Sequence, residues 1–359
     1  MHVQRVRVAV VFGGRSSEHG ISCVSAGSIL RTLDPDVYDV VALGITRDGG
    51  WYLQDPDPES LRIRDGVLPS VVANDRPAVL QADPRAASDS LGPIDVVFPV
   101  LHGPWGEDGT IQGLIEMSGI PYVGSGVLAS AVAMDKGFMK SVFQSAGLAV
   151  EPYEVITDRQ WRHDRDDSLL RAALVGFPCF VKPARAGSSQ GISKVHSAAE
   201  LEQAIDEARR HDPRVVVEAA VEGAREVECG VMQDESGASI TSRCAEIIVD
   251  AHHEFYDFAA KYLDDSATLV VPAALPEATE RGVRQQAALA FEALGCEGLA
   301  RVDFFVTPDD RIIINEVNTM PGFTPISMFP RMWEATGMDY AGLISHLIDD
   351  ARRRGTGLR

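Results

Sequence analysis

The chain has 359 residues, 45% apolar and 24% charged, with a formal net charge of −19. That length exceeds the roughly 250 to 300 residues at which a single core stops growing, so two or three domains are expected. The acidic balance argues against a nucleic-acid partner, which needs a basic face to release phosphate counterions.

No stretch approaches the roughly 18 apolar residues of a membrane span. The N-terminal VRVAVVFGG is too short for the apolar part of a signal peptide, which places the protein in the cytoplasm with no membrane partner. The five cysteines (Cys23, Cys179, Cys229, Cys244, Cys296) lack CxxC spacing and predict reduced, buried thiols.

In chain order, VRVAVVF (6–12) reads as a buried parallel strand that GGRSSEHG turns into a helix. Strands VVALGI (40–45) and DVVFPVL (95–101) extend a doubly wound α/β unit; residues 54–93, rich in Asp, Pro and Ser, read as surface hairpin or loop. A helix over DKGFMKSVFQSAG ends at Gly147, and WRHDRDDS (161–168) reads as a solvated insertion. Strand GFPCFVKP (176–183), a Gly/Ser loop and the helix AAELEQAIDEARR (198–210) form a small middle unit. Strand VVVEA (215–219) opens a third unit, which runs through an extended loop near 250–266 to the C-terminal motifs.

RVDFFV (301–306) and RIIINEVN (311–318), separated by TPDD, predict an antiparallel hairpin. A turn centred between Asp309 and Asp310 puts Asp303 opposite Glu316 and Arg301 opposite Asn318, all on one face, with Val302, Phe304, Val306, Ile313 and Val317 on the core face. Opposed side chains have Cβ atoms about 4.5 to 5.5 Å apart, so two facing carboxylates repel unless a cation lies between them. Two carboxylates and an amide oxygen are hard donors suited to Mg²⁺. The plainer alternative is a solvated strand face, and an odd-numbered turn would slip the register and scatter the set.

FVKPARAGSSQGISKV (180–195) sets Lys182 at a strand end before a Gly/Ser loop able to hold phosphate, although it is not a Walker A loop and could be a connector. The same loop contains G-x-S-x-G with Ser189 central, which keeps a serine hydrolase as the rival from another reaction class; a nucleophile elbow needs a helix directly after it, whereas ISKV looks like a strand. LHGPWGEDGTIQG (101–113) gathers His102, Glu107 and Asp108 at a strand's C-terminal end, where open α/β sheets bind ligands, with Asp108 also a helix N-cap candidate. Glu18 stands where GGRSSE enters a helix, with Ser17 as its cap. FGG is not GxGxxG, which disfavours a dinucleotide-binding oxidoreductase.

GGRSSEHGIS, LHGPWGEDGTIQG, MDK, VKPARAGSSQGISKV, FYDFAAKY, RVDFF and INEVNTMPGFTPIS follow one another with the order and spacing of D-alanine:D-alanine ligases, and over nearly its whole length the chain resembles that ATP-grasp family. The resemblance implies a three-domain α/β ATP-grasp fold whose first domain is a doubly wound parallel sheet. It divides the chain into 1–124 for the first D-alanine, 125–217 as the central subdomain with the phosphate loop, and 218–359 with the metal and the second D-alanine. It implies ATP-dependent joining of two D-alanines through a D-alanyl phosphate, for peptidoglycan precursors, in a homodimer.

By position it implies that Glu18 binds the first ammonium and that His102 lines the same site. Lys136, Lys182 and Lys261 would contact ATP phosphates, Glu226 the ribose, and Glu218 with the backbone of Ala219 and Val221 the adenine; Asn315 joins the ATP contacts. Ser188 and Tyr262 would join Glu18 in a set that ties loops over the site. Asp303, Glu316 and Asn318 match ligands for two Mg²⁺ ions, with Mn²⁺ able to substitute. Arg301 and the Gly322 N–H would stabilise the oxyanion, and Ser327 with Met328 would receive the second carboxylate. The chain departs from the family's pattern at Gln190, where a branched apolar residue is usual, and in EAAVEGARE, one residue longer than in some relatives. Gly20, early in a helix, costs about 0.8 to 1 kcal/mol relative to Ala.

Overall fold

The computed structural model describes residues 5–83, 91–187, 190–249 and 267–357. Strands β1 (Val6–Gly13), β2 (Tyr38–Ile45), β3 (Trp51–Gln54) and β4 (Val96–Val100) form a sheet of order β3-β2-β1-β4. Within it β1 lies parallel to β2 and β4, and β3 is an antiparallel edge. Both faces of β1 are covered, which is why it reads as an unbroken apolar run. Val8, Val10 and Phe12 pack with Ile29 of helix α1 (His19–Thr32), while Ala9 and Val11 pack with Ile111 and Ile115 of α2 (Thr110–Ser118). Residues 54–93 are more than surface: Leu61, Val71, Leu80 and Leu91 are buried. Gly20 is explained by the same segment, because a Cβ there would lie 2.7 Å from the Leu68 Cβ.

Helices α3 (Val127–Met134) and α4 (Lys136–Ser145) are separated by Asp135, whose carboxylate accepts from the Gly137 and Phe138 amides; Gly147, at φ +78°, turns the chain away after α4. A second sheet, of order β5-β8-β6-β7, is antiparallel and contains β5 (Tyr153–Ile156), β6 (Cys179–Pro183), β7 (Ser193–Val195) and β8 (Val215–Ala219). Strand β8 therefore does not open the third unit, as its place in the sequence suggested; it sits between β5 and β6. The expected solvated insertion is also corrected. Residues 158–173 form α5 (Asp158–His163) and α6 (Arg165–Ala173), and Trp161 is buried against the sheet with α7 (Ala198–Ala208), its indole donating to Asp206. Polar residues around a single apolar anchor hid that docking.

The third sheet is antiparallel with order β11-β10-β9-β12-β13: β9 (Arg225–Gln233), β10 (Ser239–Val249), β11 (Ala267–Val270), β12 (Leu299–Val306) and β13 (Ile312–Asn318). Helix α8 (Glu277–Ala293) packs Val283, Ala287 and Ala290 on its core face. After α9 (Met328–Glu334), the last helix α10 (Tyr340–Arg354) returns to the first sheet: Leu343, Leu347 and Ile348 share a cluster with Val8 and Val10.

The hairpin register is as expected at its functional end, where Arg301 pairs with Asn318 and Asp303 with Glu316. The route to it differs. Val306 pairs with Ile312, so the connection spans an odd number of residues, 307–311, with Asp310 in the left-handed region at φ +60°. A bulge beside Asp303 and Phe304 absorbs the extra residue, Asn315, and restores the register. The parity change makes Ile314, not Ile313, the core residue.

Candidate active site

The edges of the three sheets and the loops after β1, β4 and β13 enclose a cavity of about 730 Å³. The first sheet contributes Glu18 and His102; the second contributes Lys182 with the Glu218, Ala219 and Val221 stretch. The third contributes Glu226, Arg301, Asp303, Asn315, Glu316 and Asn318; Lys136, Gly322, Ser327 and Met328 complete the expected set. Ser188, Ser189, Lys261 and Tyr262 lie outside the described residues.

Glu18 is itself the N-cap residue of α1, which has no side-chain cap, so Ser17 does not serve as one; the Glu18 amide donates to Ser16 Oγ at 3.2 Å. Ser16 also donates to the His102 carbonyl at 2.7 Å, tying the loops after β1 and β4 together. A Cβ on Gly187 would stand 2.8 Å from Glu18 Oε2, so glycine lets the phosphate-loop backbone approach that carboxylate. His102 Nδ1 faces the Met320 carbonyl at 2.9 Å and must donate, which fixes the tautomer. Burial lowers its pKa against the upward pull of Glu18, favouring neutral imidazole. Glu107 accepts from the Gly103 amide at 2.9 Å and the Met320 amide at 3.3 Å; burial and the charge of Glu18 push its carboxyl up to about 8. Asp108 accepts from the Trp105 and Thr110 amides, but Gly109, at φ +91°, holds the N-cap position of α2.

Arg301 grips Asp303 side-on with two hydrogen bonds of 2.7 Å and reaches Glu228 at 3.2 Å. Burial works against its charge, yet Asp303 and Glu228 hold its pKa well above the ordinary value. Asn318 Nδ2 donates to Asp303 at 3.0 Å, which leaves Oδ1 as its donor atom for a cation. Lys136 lies 3.8 Å from Glu316 and donates to the Ala186 carbonyl at 2.9 Å. Burial lowers its pKa and Glu316 opposes that shift.

Among the described residues no group of three or more His, Cys, Asp or Glu could hold a metal on its own. The hairpin set instead comprises two carboxylates and an amide, which fits an oxygen-seeking dication whose remaining ligands are phosphate and water. Ser327 precedes α9, its hydroxyl meeting the Thr324 amide at 3.1 Å and the Thr324 hydroxyl at 2.8 Å. The loop with the G-x-S-x-G sequence leads into strand β7, so it lacks the strand-to-helix turn of a nucleophile elbow. All five cysteines are free and buried, as expected.

Sequence reasoning missed Lys140, Glu151 and Glu228. Lys140 is 1% exposed, and it bonds Glu151 and stands 3.1 Å from Glu218, which in turn bonds Lys182. Its signal was present: in α4 it falls on the face of Met139 and Phe143, where a charged residue needs a buried partner.

Two family models match the chain: D-ala D-ala ligase N-terminus over residues 7–125 and D-ala D-ala ligase C-terminus over 142–349. A D-alanine--D-alanine ligase of Paenarthrobacter aurescens is 53% identical, covering 99% of this chain and 97% of that protein. One from Mycobacterium sp. (strain KMS) is 54% identical over 99% of both. Among solved structures, the VanG D-Ala:D-Ser ligase from Enterococcus faecalis superposes with a TM-score of 0.84 at 34% identity, covering 97% of this chain and 100% of that one. The D-alanine-D-alanine ligase from Coxiella burnetii gives 0.78 at 34% identity, covering 98% and 95%.

Proposed function

The chain belongs to the D-alanine:D-alanine ligase family, with its ATP-grasp α/β fold, and from that premise we propose that its cavity joins two D-alanine molecules with ATP, for peptidoglycan precursors. The observation that carries the reading is the meeting in one cavity of Glu18, Arg301 and Ser327 on the amino-acid side with Lys136, Lys182, Asp303, Glu316 and Asn318 on the nucleotide side.

A carboxylate is a poor electrophile at neutral pH, so the first D-alanine takes the γ-phosphoryl group to become D-alanyl phosphate, with ADP leaving. The neutral amine of the second D-alanine then attacks the carbonyl; the C–N bond forms, the C–O bond to phosphate breaks, and the amine loses a proton. Glu18 holds the first ammonium. Lys136 and Lys182 lie along the phosphates, and Arg301 with the Gly322 amide faces the oxyanion. Ser327 with Met328 receives the second carboxylate. Asp303, Glu316 and Asn318 would hold Mg²⁺, two ions or Mn²⁺ in its place, which supplies positive charge at the transferring phosphoryl group. Glu218, Ala219 and Val221 border the adenine, Glu226 the ribose, and Asn315 the nucleotide; Lys261, Ser188 and Tyr262 are assigned by position alone.

No described helix is long and apolar enough to cross a membrane. The same reading places the enzyme in the cytoplasm as a homodimer, divided at residue 124 and, because β8 runs to Ala219 within the central sheet, after residue 219 rather than at the expected 217. The test is ADP release with D-alanine, L-alanine or neither, followed by mass spectrometry of products from equal D-alanine, D-serine and D-lactate. D-alanyl-D-alanine should dominate. ADP release indifferent to D-alanine, or a mainly D-Ala-D-Ser or depsipeptide product, would overturn the reading.

A further inference from the structure

Behind the nucleotide wall, four buried side chains form a row, Glu151–Lys140–Glu218–Lys182, contributed by the segment before β5 and by α4, β8 and β6. Lys140 Nζ also lies 3.5 Å from the Asn315 carbonyl in the hairpin bulge. With both carboxyls ionised, two ammoniums balance two carboxylates, so the ionised row is neutral while Lys182 stays on Glu218.

Lys182 borders the cavity, and under the reading above it turns to ATP phosphate. Once it leaves, Lys140 alone faces two carboxylates and one negative charge is left over in a dry site. We propose that Lys140 and Glu151 are positioning residues for nucleotide binding: Lys140 is the standing counter-ion that lets Glu218 release Lys182, and Glu151 takes up a proton from solvent to cancel the remaining charge.

The geometry suits this exchange. Glu151 Oε2 is buried without a hydrogen-bond donor, and Glu151 is close enough to Glu218 to donate to it when protonated. Burial pushes the Glu151 carboxyl up to about 7, with Lys140 opposing and Glu218 adding to the rise. For Glu218 burial is overcome by Lys140 and Lys182, which hold it well below the usual carboxylate range. With Lys182 in place, Glu151 is thus the carboxyl of the two that takes up a proton more readily.

The charge count predicts opposite signs for two variants, which a merely structural role does not. Lys140→Met leaves Lys182 as the sole partner of Glu218 and should weaken binding of Mg²⁺ with a non-hydrolysable ATP analogue by about 5- to 150-fold, the usual span of a coupling between sites. Glu151→Gln keeps the shape, removes the surplus charge, and should bind the analogue as well as or better than wild type. Calorimetry in buffers of different ionisation enthalpy should show proton uptake on binding in wild type and its loss in Glu151→Gln. If Lys140→Met does not fold, Glu151→Gln decides: weaker binding, or unchanged proton uptake, overturns the proposal. The inference rests on the nucleotide reading, and the two fail differently. Wild type that binds no nucleotide defeats that reading, whereas wild type that binds while both variants weaken together, or neither moves, defeats the inference alone.

Discussion

The acidic hairpin and the buried row border the same cavity, yet they handle charge in opposite ways. In the hairpin, the Asp303 and Glu316 side chains keep 13% and 26% of their exposure, so a hydrated cation can reach them. In the row, Glu151 and Glu218 each keep 2%, so a hydrated cation cannot reach them and protein ammoniums or a bound proton must balance them. A solvated pair of carboxylates tolerates loss of its cation, because water takes its place. A desolvated pair does not, because removing one partner leaves an uncompensated charge in a low dielectric. The hairpin is therefore the place where substitution should alter chemistry, and the row the place where it should first alter stability.

The largest expected effect is on the row. Lys140→Met should lower the unfolding free energy by about 3 to 5 kcal/mol, the range for a buried pair deprived of one member. Denaturant melts read this directly, and a loss under about 1 kcal/mol, the scale of an exposed pair, would erase the contrast. Next comes the core side of the hairpin: Ile314→Ala should cost about 2 to 5 kcal/mol as a buried truncation. Ile313→Ala, on the opposite and less buried face of β13, should cost far less, and equal losses would mean that the bulge is not where it is described. On the cavity side, Glu316→Gln should reduce kcat by about 10², because charge stabilisation of the transferring phosphoryl group is lost. Its melting midpoint should stay near that of wild type, and wild-type turnover with Mg²⁺ would remove Glu316 from the metal site.

The smallest effect is a slope. The carboxyl of Glu151 is raised from an ordinary 4.5 to about 7, so the folded state holds its proton more tightly than the unfolded chain. Its contribution to stability is fully present below pH 4.5 and is lost as pH rises through about 7. Stability measured across that window should fall less steeply in Glu151→Gln than in wild type, and parallel slopes would show that Glu151 does not titrate there.

Much of the hairpin was legible because its partners are close in sequence and strand side chains alternate with period two. Arg301, Asp303, Glu316 and Asn318 could be placed on one face from that rule. The odd connection and the bulge at Asn315 were not legible, since the two offsets cancel at the functional end and leave their trace only in the exchange of Ile313 for Ile314. In the second sheet, the pattern of VVVEA correctly marked a strand but carried no information about its neighbours, and β8 paired with β5 and β6. The segment around Trp161 read as solvated because one buried indole among charges gives no periodicity to detect.

By itself, the sequence determined the covered first strand, the reduced cysteines and the two-faced hairpin, all set by residue type and period. Tertiary structure alone decided the Lys140 row, with Lys140 and Glu218 brought within 3.1 Å from α4 and β8. It also decided the return of α10 to the first sheet and the placement of β8. The physical reason is common to all three. Hydrophobic burial is non-directional and rewards any partner that excludes water, so an apolar face or a buried charge announces in the sequence that it needs a partner, and only the packed chain selects which one.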